Sequence, residues 1–334
     1  MGLNHPRDLE AWRAWQRSRT PLRTLRDRFR PQPPLTGVLS VLAPEPQVLV
    51  VLDWLAPTAM LALFSMTPHL SVPYAVLSPS SLPNDWPGRA VSPSPAVVPP
   101  DLSSVSVVVA AGHYLQLGSV AHAWSRRLGA EFVAVQHGLL APHVPPLAPD
   151  SRLLAWSDGD AEFWRSGRDD VRTEVVGSQL LWEAAADPGR VTDERPTFLG
   201  QLHSAEMGRR AMARFTGPFV RSEGLRYRPH PGERDRLSRW QHAVWRRQGI
   251  EFDDGTVPLR ELPTPVVSVF STGILEAAAR GVPAWAAYDA PPRWLSEFWE
   301  RYAMTQYGQE PTPAPPRPAA EPAAAVAAAV EALL

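Results

Sequence analysis

Histidine, hydroxyl and carboxylate side chains supply the chemistry open to this 334-residue chain, because it contains nine histidines and no cysteine. Without thiols, disulfides and thiolate nucleophiles are excluded, and a metal site would need His and carboxylates. Four histidines stand in polar clusters that directly follow apolar runs: Gly112-His113, Gln136-His137-Gly138, Gln201-Leu202-His203 and Arg228-Pro229-His230-Pro231. Imidazole titrates near neutral pH, so each can act as a general base toward a hydroxyl or donate to a phosphate oxygen. Each taken alone reads equally well as a hydrogen-bonded structural histidine. Ser271-Thr272-Gly273 interrupts a fifth apolar run and opens a helical pattern with Glu276 one turn inside. A helix start with hydroxyls and amide groups suits an anion, phosphate above all, and Glu276 would then reach sugar hydroxyls. The plainer alternative is a Ser/Thr-capped helix in an ordinary α/β domain.

The elements that must position these residues alternate along the chain. Val266–Phe270 reads as a buried strand, Ile274–Arg280 as a helix closed by Gly281 and stopped by Pro283, and Ala284–Tyr288 as the next strand. Upstream, Val38–Leu42, Gln47–Leu52, Pro73–Leu77, Val105–Ala111, Glu131–Gln136, Leu153–Trp156 and Thr173–Val176 are strand-like. Pro57–Met66, Leu115–Leu128 and Asp160–Arg165 are helical, and Ser78–Asp101 is a Pro/Ser-rich connection. After the linker Pro188–Arg195 a second series begins. Its strands are Thr197–Leu202, Leu225–Arg228 and Ile250–Phe252, with helices Ser204–Phe215 and Glu233–Arg247. Such alternation predicts parallel sheets covered on both faces, with ligands bound at the carboxyl ends of the strands. The expected fold class is α/β, with two Rossmann-like domains facing a cleft. Residues 1–187 would form an N-terminal acceptor domain, 196–319 a nucleotide-donor domain, and 320–334 a last helix returning toward the first.

Composition narrows the class. Apolar residues make up 44% and charged residues 20%, as in ordinary globular proteins. All 33 basic residues are Arg, and the net charge of −1 argues against a protein built mainly to hold nucleic acid. The most apolar region, Val38–Phe64, is broken by Pro44, Glu45, Pro46 and Asp53, so no segment is expected to span a bilayer and a cytoplasmic location is expected. Asp8–Arg30 reads as a basic helix split by Pro21, with seven Arg against Asp8, Glu10 and Asp27, about +4. Its tryptophans allow peripheral contact with the inner membrane face, beside the alternative of packing on the first domain.

Three stretches in order carry a family resemblance. Phe132–Gly138 (FVAVQHG) resembles the strand and "QHG" motif of bacterial surface-polysaccharide transferases, Tyr227–Glu233 (YRPHPGE) their "HP" motif, and Phe270–Ala284 (FSTGILEAAARGVPA) their Ser-Ser/Thr motif and following helix. The trio resembles the capsule polysaccharide synthesis, CDP-glycerol glycerophosphotransferase and polysialyltransferase families. The resemblance implies a metal-independent, cofactor-free GT-B glycosyltransferase. It would move a sugar or polyol-phosphate from a CMP-, CDP- or UDP-linked donor to a glycan or lipid-linked acceptor. With it, His137 would be the base, His113 competes for that role by its own strand-end position, and Arg228, His230, Ser271, Thr272, Gly273 and Glu276 would lie around the donor. Gln136, Gly138, Gln201 and His203 would line the acceptor side. The family's acidic element precedes the HP motif, whereas Asp253-Asp254-Gly255 follows it here, so that element takes no role. Two alternatives stay open: a UDP-sugar 2-epimerase-like enzyme, and a non-catalytic GT-B protein that binds a nucleotide or glycan.

Overall fold

The computed structural model describes residues 2–19, 34–83 and 86–334. The predicted basic helix is present as α1 (Leu9–Arg19); its continuation through Pro21 to Arg30 lies outside the described residues. The chain forms two compact units, one of residues 2–180 with 318–334 and one of residues 181–317.

The first unit is built on an eight-stranded sheet in the order β4-β1-β3-β2-β5-β6-β7-β8. Its strands are β1 (Gly37–Val41), β2 (Val48–Val51), β3 (Tyr74–Ser78), β4 (Arg89–Val91), β5 (Val107–Ala110), β6 (Glu131–Val135), β7 (Arg152–Ala155) and β8 (Arg172–Val175). From β3 to β8 every neighbouring pair is parallel. The sheet as a whole is mixed, because β1 runs antiparallel to both β3 and β4. The expectation of a purely parallel sheet is corrected here for a physical reason. The β1–β2 connection is a few residues without a helix, and a parallel return needs a crossover of a dozen residues or more. β4 in turn lies inside the Pro/Ser-rich stretch read as a plain connection.

Side-chain alternation along β2 feeds two cores. Val48 and Val50 pack with Met60, Ala62, Leu63 and Phe64 of the π-helical segment Met60–Phe64, which continues the short helix Pro57–Ala59, and with Val326, Ala327 and Val330 near the C-terminus. Leu49 and Val51 pack on the opposite face with Leu117, Val120, Ala121 and Trp124 of α2 (Gln116–Leu128). α3 (Asp158–Arg165) follows β7 and is capped by Ser157, whose Oγ accepts from the Asp160 amide. α4 (Gln179–Ala186) contains the division between the units.

The second unit holds a four-stranded, wholly parallel sheet ordered β10-β9-β11-β12. These strands are β9 (Thr197–Leu199), β10 (Arg226–Arg228), β11 (Val266–Ser268) and β12 (Ala284–Ala286). Its helices are α5 (Arg209–Ser222), α6 (Arg236–Arg247), α7 (Thr272–Ala279) and α8 (Arg293–Arg301). The last helix, α9 (Pro322–Glu331), belongs to the first unit, where the Gln179 side chain receives the Ala323 amide at its start. Two local expectations change. Ile250–Phe252 contributes a single parallel bridge, Phe252 to Tyr227, rather than a strand. Asp253 and Asp254 turn the chain there by accepting from the Gly255 and Thr256 amides. α5 begins at Arg209 rather than Ser204, so 201–208 is a loop and Ser204 caps nothing.

Candidate functional site

The strand order of the second unit sets the carboxyl ends of β10, β9 and β11 side by side, which brings His230, Gln201 with His203, and Ser271 to one edge. Gln201 is buried and knits β9 to β11: its Oε1 accepts from the Phe270 amide at 3.0 Å and lies 3.1 Å from Ser268 Oγ. The His203 and His230 rings stack with centroids 3.8 Å apart and planes 12° from parallel. His230 Nδ1 accepts from the Gly232 amide at 3.0 Å, so the neutral ring carries its proton on Nε2. Desolvation lowers both imidazoles below the ordinary histidine range; the neighbouring His230 adds to this at His203, and Glu233 opposes it at both. Two neutral rings face solvent here, each able to donate to a phosphate oxygen and to gain a proton when an anion arrives.

Glu233 holds this arrangement. Its side chain is fully buried. Oε1 accepts from the Leu202 amide at 2.9 Å, and Oε2 lies 2.8 Å from both Tyr227 Oη and His242 Nε2. One carboxylate therefore ties the turn after β9, which carries His203, to the turn after β10, which carries His230. The turns approach so closely that side chains are excluded. A Cβ on Gly200 would lie 2.2 Å from Tyr227 Oη, and one on Gly232 would lie 3.1 Å from His230 Nδ1 and 3.2 Å from the His203 ring.

The start of α7 is less open than expected. Ser271 Oγ accepts from the Gly273 amide at 3.1 Å, and the Ile274 amide bonds the Ser271 carbonyl. An arriving anion would meet the Ser271 and Thr272 hydroxyls rather than a bare row of amides. Gly273 is buried against Leu199 and Leu259, with no room for a Cβ. Glu276 lies on the flank of α7 and lines a cavity of about 310 Å³, open mouth included, with Leu259, Leu262, Gly273 and Arg280. None of the four histidines lines that cavity. Burial pushes the Glu276 carboxyl up to about 7 against the pull of Arg280. Arg228 fastens the following loop, donating to Asp253 Oδ1 at 3.2 Å and to the Val257 carbonyl at 2.6 Å.

In the first unit the ends of β2, β5, β6 and β7 are likewise adjacent. His137 lies edge-on to Trp54 at 5.2 Å, and its Nδ1 is buried without a hydrogen-bond partner. Burial lowers its pKa to about 4, with the Val135 backbone opposing the shift. His113 also has a buried, unpartnered Nδ1 and packs edge-on against His122. Burial first, then the charges of His122, Arg13 and Arg168, bring it to about 4. Both rings are thus in the neutral form a base requires. His137 further lines a cavity of about 310 Å³, open mouth included, with Thr58, Trp156, Ser178 and Pro322. Gln136 is fully engaged within the fold: Nε2 donates to the Gly138 carbonyl and to Asp160, and Oε1 accepts from the Trp156 amide. Gly138 faces open space, with nothing within 4 Å of where a Cβ would stand.

Asp53 is a candidate that sequence reasoning missed. It follows β2 and accepts from the Leu117 and Gly118 amides at 2.7 and 3.0 Å, closing the N-terminus of α2. Burial raises its carboxyl to about 6 against those two hydrogen bonds. The signal was present: a carboxylate directly after the apolar VLVVL run, the same strand-end position that marked the histidines.

Among the described residues no group of three or more His, Asp or Glu is placed to hold a metal ion, and no helix is long and apolar enough to cross a membrane. Comparison with known protein families, curated proteins and solved structures gives no significant match.

Proposed function

We propose that this chain is a GT-B-type transferase, using a nucleotide-activated donor to move a sugar or polyol-phosphate onto a glycan or lipid-linked hydroxyl. The observation that carries this reading is the edge of the second parallel sheet, where the stacked His203–His230 pair neighbours the Ser271-capped start of α7. Bond cleavage leaves growing negative charge on the donor phosphate. Neutral imidazoles that donate through N–H, together with the Ser271 and Thr272 hydroxyls, are suited to stabilise it. His137 is the proposed base: it is neutral, it lines a cavity, and its buried Nδ1 has no partner. It would take the acceptor's proton as the new bond to the acceptor oxygen forms, and the donor phosphate leaves with the electron pair of the broken bond. His113 is the second candidate for that role.

A thermal-shift screen of CMP, CDP and UDP tests the reading, because a ligand of the folded state raises the unfolding temperature by mass action. Stabilisation by at least one nucleotide, lost in the His230→Ala variant, is expected. No stabilisation by any of them would defeat the proposal.

A further inference from the structure

The helices α5 and α6 pack together: Arg209 on α5 donates to Ser238 Oγ at 2.6 Å and to Asp235 at 2.9 Å, and Gly217 admits the Trp245 indole. The segment that contains them is strongly basic. Residues 209–247 hold eleven arginines against three acidic residues in a chain of net charge −1, and two of the eleven, Arg226 and Arg228 on β10, are paired with Asp193, Glu251 and Asp253. Of the three acids, Glu233 is buried and Asp235 is paired with Arg209. Arg210, Arg214, Arg234, Arg236, Arg239 and Arg247 are exposed, and none forms an ion pair among the described residues.

Two large apolar side chains stand in the middle of this charge, Leu237 at 63% and Trp240 at 64% exposure. On a helix of about 3.6 residues per turn, Trp240 lies between Arg236 and Arg247 on the outer side, with Leu237 beside it. Ser238, His242 and Trp245 occupy the buried side. We infer that this face docks the protein on an anionic lipid surface. Leu237 and Trp240 would enter the headgroup boundary, and the arginines would meet lipid phosphates. Charge complementarity selects the occupant. A second copy meeting through the same face would set like charges against each other. Single-stranded nucleic acid is bound by a series of aromatic rings; here Trp240 is a lone ring, and its exposed neighbour Leu237 is aliphatic and suits acyl chains. The inference is independent of the transfer reaction and of α1.

Sedimentation of the full chain with vesicles tests it. Binding is expected to vesicles containing phosphatidylglycerol and not to phosphatidylcholine alone, and it should weaken as salt is raised. Replacing Arg236 and Arg239 by Gln should weaken partition about fivefold per residue. Replacing Leu237 and Trp240 by Ser should weaken it roughly tenfold or more. All four side chains are exposed, so circular dichroism and thermal unfolding should match those of the parent. Absence of binding to phosphatidylglycerol vesicles, or equal binding to both kinds, would overturn the inference. So would binding unmoved by either pair of changes, or changes that instead abolish a dimer or RNA binding while lipid binding persists.

Discussion

Replacing Glu233 by Ala probes the device that aligns the two imidazoles. The side chain is fully buried and receives the Leu202 amide, the Tyr227 hydroxyl and His242 Nε2, each at 2.8–2.9 Å. Truncation leaves three buried polar groups without a partner, at about 1–3 kcal/mol each if none finds water. Three such groups together set an expected loss of roughly 3–5 kcal/mol, toward the low end of their summed range because some will find water. Glu233→Gln keeps an acceptor for the Leu202 amide, and the Tyr227 hydroxyl can rotate to accept from the new amide, so about 1–2 kcal/mol is expected. Urea unfolding at neutral pH, with the slope checked for constancy, reads both values. The Gln variant should also weaken nucleotide affinity, because the turns carrying His203 and His230 lose their shared anchor. An alanine variant as stable as the parent would refute the reasoning outright. A destabilised Gln variant with unchanged affinity would separate the anchor from the site.

Three further expectations follow from the same geometry. Ser271→Ala with Thr272→Ala should reduce nucleotide affinity roughly ten- to a hundredfold, since each charge-assisted bond contributes about 1.5–3 kcal/mol; calorimetric titration of the folded double variant checks it. His137→Ala should lower turnover ~10²–10⁴-fold with nucleotide affinity nearly intact, whereas His230→Ala should weaken both; loss at His113 but not at His137 would move the base one strand over. Asp53 has a folded pKa of about 6, above its unfolded value of 3.8, so the native state binds the extra proton between these limits. Its contribution to stability is present below pH 4 and is lost as pH rises toward 6, by at most about 3 kcal/mol. His113 and His137, lowered to about 4, slope the other way: their contribution is present above pH 6.5 and is lost as pH falls through 4. Asp53→Asn should remove only the first of these slopes from stability measured against pH.

The central strands of the first sheet were legible because runs such as VLVV (Val48–Val51) and VVVA (Val107–Ala110) are apolar on both faces, which only a doubly covered strand requires, whereas the short, mostly exposed β4 (Arg89–Val91) was not. The polar residues after them were legible for the same reason, as sudden breaks in those runs. Strand direction was not: β1 looks like its neighbours, and only the short link to β2 betrays its reversal. The start of α5 was also hidden, because the loop before it is held by Glu233 reaching back to the Leu202 amide, a contact made across the fold. Arg228 sits at the right strand end, yet its guanidinium is drawn to Asp253, and spacing alone does not reveal that pairing. Asp53 was legible too, but a carboxylate inside an apolar stretch reads as an interruption before it reads as a strand end.

The most direct test follows the nine histidines by NMR while the nucleotide that stabilises the chain best is titrated in. The His203 and His230 ring signals should move together and saturate with the nucleotide, and their pKa values should rise as phosphate charge comes within reach. The signals of His5, His69 and His143 should stay in place. Binding that leaves His203 and His230 unshifted would contradict the account, because the phosphate would then lie away from the edge of the second sheet.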